Sequence, residues 1–479
     1  MRYVKPLSLI VMPATAVMII LMLVVPCGSV AGVQVTTTSD DQTKIAITIY
    51  NDGTGLVKDT RDLEFPRGEF DLVYMDVAST IDPTSVHFVS NTNPDSLGVL
   101  EQNYEYDLVN TQALFRRNID NQVSIRTEDG RTIEGTLLSY DGGLVISTAE
   151  GIMIVSNPVE INFAELPEGL ITRPTLRWNL TNNNAGVHST EMNYLASGMG
   201  WSANYVAIVS QNDDKLDLSG WVTINNNSGT SYKDAELKLV AGEVNRVQPD
   251  YNQYADGMMR NAAPMGAMGG PGGFEEETFF EYHLYTLQRP ATVLNNQQKQ
   301  ISLLEGEGIN VEKIFVFDPG YSYYGRGDTA QGVIEVRLQF MNEEENGLGM
   351  PLPKGILRVY KEDSSGALQF IGEDRIDHTP KDEEIEVFLG EAFDIVGERR
   401  VMDRREIRYD TWEYDVEVDV RNHKTDDVEI VYWDHVWGDW QVMRSNYDYY
   451  QKDASTVEFT VPVESDGEVT LTYTIRREW

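Results

Sequence analysis

The chain has 479 residues, with 76 Asp and Glu against 38 Lys and Arg, a formal net charge of −38 and a single cysteine. Such an excess of carboxylates argues against nucleic acid or an anionic membrane surface as a partner, because both are held through basic patches. It suits solubility, cation binding or a saline habitat.

At the N-terminus Arg2 and Lys5 precede an apolar run from Leu7 to Val25. "CGSVAG" then sets Ser29 and Ala31 at the third and first positions before a cleavage site. This pattern predicts a secretory signal over 1–31, and hence an exported protein, periplasmic or extracellular. The rival expectation is an uncleaved anchor, since Leu7 to Pro26 approaches spanning length. Contact with a membrane is expected only through this segment. Pro26 stands where lipid attachment to Cys27 would require a small residue. Cleavage would remove Arg2 and Lys5, taking the formal charge from −38 to −40, and would leave no cysteine. Stability must then come from burial without disulfides.

Beyond the leader, short runs rich in Val, Ile, Thr and Tyr alternate with Asp-Gly, Asn-rich and Pro turns, and long helical periods are scarce. The expectation is an all-β chain of several immunoglobulin-like sandwich domains, with a small SH3-like or Sm-like barrel inserted after a short helix. "KIAITIYNDGTGLVKDTRDLEFP" opens a first sandwich, placed at 32–104. "YDLVNTQALFRRN", 106–118, carries Leu108, Leu114 and Phe115 at helical spacing. The meander that follows turns at Asp129-Gly130, Asp141-Gly142 and Glu150-Gly151, and defines a helix-plus-barrel segment at 105–165. A middle sandwich is placed at 166–314, with a Gly- and Met-rich loop at 251–273, and a C-terminal sandwich at 315–479.

Four stretches invite a chemical reading. "FFEYHLYTL" reads as one strand with Glu281 beside His283, a pairing too poor in ligands for a metal site. Met258, Met259, Met265 and Met268 offer soft thioethers for Cu(I), but sit in a low-complexity loop. "GEDRIDHTPKDEE" supplies Glu373, Asp374, Asp377, Asp382 and Glu383 as oxygen donors for Ca²⁺, without the spacing of a dedicated loop. The fourth, "VYWDHVWGDWQVMRSNYDYY", is the most suggestive. A strand over Glu429 to Trp437 puts Trp433, His435 and Trp437 on one face, with Trp440, Tyr447, Tyr449 and Tyr450 near by. Aromatic platforms of this kind stack on sugar rings or peptide side chains. No Gly-x-Ser-x-Gly, His-Glu-x-x-His or Gly-x-x-x-x-Gly-Lys motif is present, and nothing selects a catalytic carboxylate pair.

"MNYLASGMGWSANYVAIVSQNDDKLDLSGWVTINNNSGTSYKDAELKLVAGEVNRV", "EEETFFEYHLYTLQRPATVLNNQQKQISLL" and "GEDRIDHTPKDEEIEVFLGEAFDIVGERR" resemble successive segments of a prokaryotic exported family catalogued as domain of unknown function 4139. Related chains are called mucoidy inhibitor A-like and add a coiled coil that is not found here. The resemblance implies β structure and export, and brings no catalytic residues. The leading expectation is a non-enzymatic exported protein that binds an envelope protein or polysaccharide, or serves as a scaffold in envelope assembly. The alternatives are a polysaccharide hydrolase using acidic residues, and a Ca²⁺-stabilised adhesive module. No cofactor other than Ca²⁺ is expected, and the sequence leaves the oligomeric state open.

Overall fold

A computed structural model describes residues 32–478 except 168, 243, 246–272, 321–323 and 326. Residues 1–31, expected to be a leader, and nearly all of 251–273, expected to be a loop and holding Met258, Met259, Met265 and Met268, lie outside the described residues. Within them the chain is nearly all β, as its alternating pattern predicts, and the one α-helix is Thr111–Arg117. That helix starts later than its apolar spacing suggests. Asn110 caps it by accepting from the Ala113 amide at 2.9 Å, while Leu108 stays outside and bridges to Ile171.

The strands do not divide at the expected boundaries. Thr175–Asn182 pairs with Gly68–Met75 and Leu97–Glu105, and Gly186–Ser197 pairs with Thr54–Phe65. Tyr232–Ala241 runs parallel to Gln42–Tyr50. The expected sandwiches at 32–104 and 166–314 are therefore one unit, and the small sheet at 122–163 is an insertion within it. Their inward residues form one core, in which Phe88 stacks on Trp178 at 4.7 Å and Trp201 meets Tyr285 edge-on at 6.2 Å. Alternation shows which side chains point inward, but not which strand supplies the partner.

A nine-stranded sheet builds the C-terminal unit around a second core. The segment expected as a separate C-terminal sandwich at 315–479 contributes to both cores, through two long strands. Glu384–Arg408 gives Ile385 and Val387 to the first core and Ile395 and Val401 to the second; Thr329–Met341 likewise splits Leu338 and Phe340 from Ile334. Gly355–Glu362 and Leu368–Ile376 belong to a five-stranded sheet of the first unit, through parallel pairing with Met199–Val209.

The inserted segment is a five-stranded antiparallel sheet in the order Gly151–Val155, Leu144–Thr148, Thr132–Ser139, Gln122–Arg126, Glu160–Phe163. It has its own small core of Val123, Ile125, Leu137, Leu144, Ile146 and Val155. No ladder joins its two outer strands among the described residues.

Candidate functional site

The stretch read as a single strand at Phe279 to Leu287 is a hairpin. Phe274–Phe279 pairs with Tyr282–Leu287, and Phe280 turns the chain with φ at 59°, a left-handed value unusual for an aromatic residue. His283 therefore meets Glu276, not Glu281: Nδ1 lies 2.7 Å from Oε1, and the Glu276 side chain is buried.

The acidic stretch proposed for Ca²⁺ is spread out by its strand. Glu373 pairs with Arg358 at 3.0 Å across the ladder. Asp374 accepts the Phe388 amide at 2.9 Å, and Asp382 sits in a left-handed turn beside Glu383. Asp377 uses its carbonyl, which accepts from Thr379 Oγ1 at 3.0 Å. Among the described residues no three His, Cys, Asp or Glu side chains converge to hold a metal.

The aromatic cluster separates into two groups. Val428–His435 is the strand, and it ends before Trp437. Trp433, expected as a platform, is buried: its Nε1 donates to Glu458 at 2.8 Å, with Lys452 Nζ 3.9 Å and the Arg337 guanidinium 5.0 Å from its ring centre. The protein's own cations thus occupy the π surface a sugar would need. His435 is held between Asp318 at 3.0 Å and Thr456 at 3.2 Å. On the core side of the strand, Asp434 accepts from the Tyr324 hydroxyl at 2.5 Å and from Tyr473, and lies 3.4 Å from Arg399 Nε. Arg399 is fully buried, and neither Nη has a hydrogen-bond partner among the described residues. Burial opposes its charge, but Asp434 and the tyrosines more than offset this and hold its pKa above the ordinary value. Burial pushes the hydroxyls of Tyr324 and Tyr473 up as well. Nothing in the sequence pattern distinguishes this buried charge from the exposed ones around it.

The second group is accessible. Trp437 and Tyr449 are about half exposed, Tyr450 more so, and Tyr447 packs against the core edge. Trp440, half-buried, anchors its Nε1 on the Ala454 carbonyl at 2.9 Å and lines an open cleft of about 330 Å³ with Ile407, Arg408, Thr411, Asp439, Gln441, Arg476 and Glu478. The cleft follows from register. Asp439–Ser445 pairs with Glu468–Glu478 so that Asp439 opposes Glu478 and Gln441 opposes Arg476. Gly438, with φ at 87°, makes the approach possible, because a Cβ there would lie 2.8 Å from the Glu478 carbonyl oxygen. Arg408 donates to Glu478 at 2.8 Å and Arg476 to Glu413 at 2.6 Å. The carboxylate of Asp439 and the amide of Gln441 form no hydrogen bond among the described residues, and both are exposed.

A larger cleft of about 470 Å³ opens in the first unit, with Asp59, Asp76, Tyr194 and Tyr232 among its lining residues. Several of its inner polar groups are satisfied within the protein, while the exposed side chains of Asp40 and Lys233 form no hydrogen bond or ion pair among the described residues. Asp59 accepts from Gln42 at 2.8 Å and from Arg61 Nη2 at 2.8 Å, Asp76 from Arg173 at 2.9 Å, and the hydroxyls of Tyr232 and Ser228 are 3.0 Å apart. Burial pushes the Tyr232 hydroxyl up to about 12, so it is neutral at ordinary pH.

No family model matches the chain, and no curated protein matches it either.

Proposed function

We propose that this is an exported, non-enzymatic β-sandwich protein of the cell envelope that binds polysaccharide at the cleft beside Trp440. The observation that carries the reading is the composition of that cleft: the Trp440 indole set among Asp439, Gln441, Arg408 and Glu478. Planar polar side chains around an aromatic face suit a sugar ring, whose hydroxyls both donate and accept while its C–H face packs on the indole. The volume of about 330 Å³ is at the lower end of small-ligand sites, enough for one or two sugar units. The leader pattern supports export, and so does the resemblance to domain of unknown function 4139.

The test is a tryptophan-fluorescence titration of the protein with hexose and N-acetylhexosamine hexamers. Saturable quenching that is weakened in Asp439→Asn and in Gln441→Ala is the expected outcome. Quenching that is unchanged in both variants would place binding elsewhere.

One feature favours a second, hydrolytic reading. Asp439 and Glu478 are cross-strand partners, so both carboxylate side chains leave the sheet on the same face with Cβ atoms about 5 Å apart. In this reading Glu478, held in place by Arg408 at 2.8 Å, would be the nucleophile and Asp439 the acid. Release of reducing ends from a bound oligosaccharide, abolished by Glu478→Gln, would establish this reading over simple binding.

A further inference from the structure

The inserted sheet has two unlike edges. Glu160–Phe163 is guarded by Pro158 and by the Glu160–Arg126 ion pair. The opposite edge, Gly151–Val155, has none of the usual protection: no charge, no proline and no bulge against Leu144–Thr148. Ile152 and Ile154 point the same way and are 72% and 69% exposed, with Val145 beside them on the neighbouring strand. Between Gly143 and Asn157 the only charged residue is Glu150, in a chain whose net charge is −38.

We infer that Gly151–Val155 pairs antiparallel with the same strand of a second copy of this chain, joining two inserted sheets into one. Charge selects the occupant. A basic partner would find no carboxylate within this strand to pair with, whereas an uncharged apolar strand fits, and the chain itself supplies one. The strand is also self-complementary. With Met153 on a two-fold axis, Ile152 of each copy opposes Ile154 of the other, and the exposed isoleucines form one continuous row. Five residues a side bury far less than the roughly 800 Å² per partner of a stable interface, so the dimer is reversible and concentration-dependent. Salt strengthens it, because screening reduces repulsion between two acidic copies.

The experiment uses the full chain with Cys27→Ser. Met153→Cys places two sulfurs at the axis, within the Cα separation a disulfide spans. Mild oxidation is expected to give a covalent dimer, with more of it at high salt, and none from Val187→Cys, a more accessible control on another strand. Ile154→Lys, at an exposed site that leaves the fold intact, is expected to abolish both the crosslink and the reversible dimer seen by sedimentation equilibrium of the parent chain. A parent chain that is monomeric at every concentration and salt would overturn the inference. So would an association that Ile154→Lys leaves unchanged, including any driven by the apolar N-terminus.

Discussion

Both clefts carry polar side chains that are unengaged among the described residues, Asp40 and Lys233 in one and Asp439 and Gln441 in the other. They differ in aromatic surface: Tyr194 and Tyr232 in the larger are buried, whereas Trp440 in the smaller is half-buried. In the first unit the larger one, about 470 Å³, is floored by Asp59, whose carboxylate is held by Gln42 and by buried Arg61. Arg61 in turn reaches the Met75 carbonyl at 3.1 Å and lies 3.7 Å from the Tyr74 ring centre. The smaller C-terminal cleft, about 330 Å³, leaves the side chains of Asp439 and Gln441 without hydrogen-bond partners among the described residues. Size is therefore the wrong guide to function here. A group already hydrogen-bonded within the protein gains little from a ligand, whereas an unengaged one beside an accessible aromatic side chain can contribute its full interaction.

The comparison breaks most visibly if stability does not follow it. Asp59→Ala removes the counter-charge of a buried guanidinium and is expected to cost about 3–5 kcal/mol in urea unfolding, with no effect on sugar binding. Asp434→Ala should cost about the same, for it strands Arg399 in the second core. Trp440→Ala is predicted to do less to the fold, about 1–3 kcal/mol as for a partly buried side chain, while abolishing the binding signal.

A smaller effect lies on the outer face of the second unit. There Arg405 holds the Asp415 carboxyl well below the usual carboxylate range, with help from Thr474 and Arg444. Because the folded-state pKa is depressed, this stabilisation is complete above the unfolded value of about 4 and is lost as pH falls through the folded one. Asp415 is partly exposed, so screening limits the effect to about 1 kcal/mol or less. Asp415→Asn should flatten the acid limb of the stability curve below pH 4 and leave neutral stability within that margin.

Much of the fold was legible because strand parity was legible. The inward set of Thr411–Asn422, with Tyr414, Val416, Val418 and Val420 buried, is plain period two. Strand partnership was not, since Thr175–Asn182 completes a sheet begun a hundred residues earlier and no local pattern encodes that closure. For the site, the aromatic segment was visible in the sequence, but its division was not. Trp433 and Trp440 look equivalent as residues, yet Lys452 and Arg337 cover the first, while the turn at Gly438 carries the second to an open edge. The hairpin at Phe280 was missed because an aromatic residue gives no warning of a left-handed turn.

The most direct measurement is the fluorescence titration carried out in parallel on the parent chain, Gln441→Ala and Thr43→Ala. Gln441 lines the small cleft and Thr43 the large one, both side chains are exposed, and either substitution should leave stability within about 0.5 kcal/mol. The account predicts saturable oligosaccharide binding that Gln441→Ala weakens and Thr43→Ala leaves alone. Binding lost in Thr43→Ala and kept in Gln441→Ala would contradict it, and would move the functional site to the first unit.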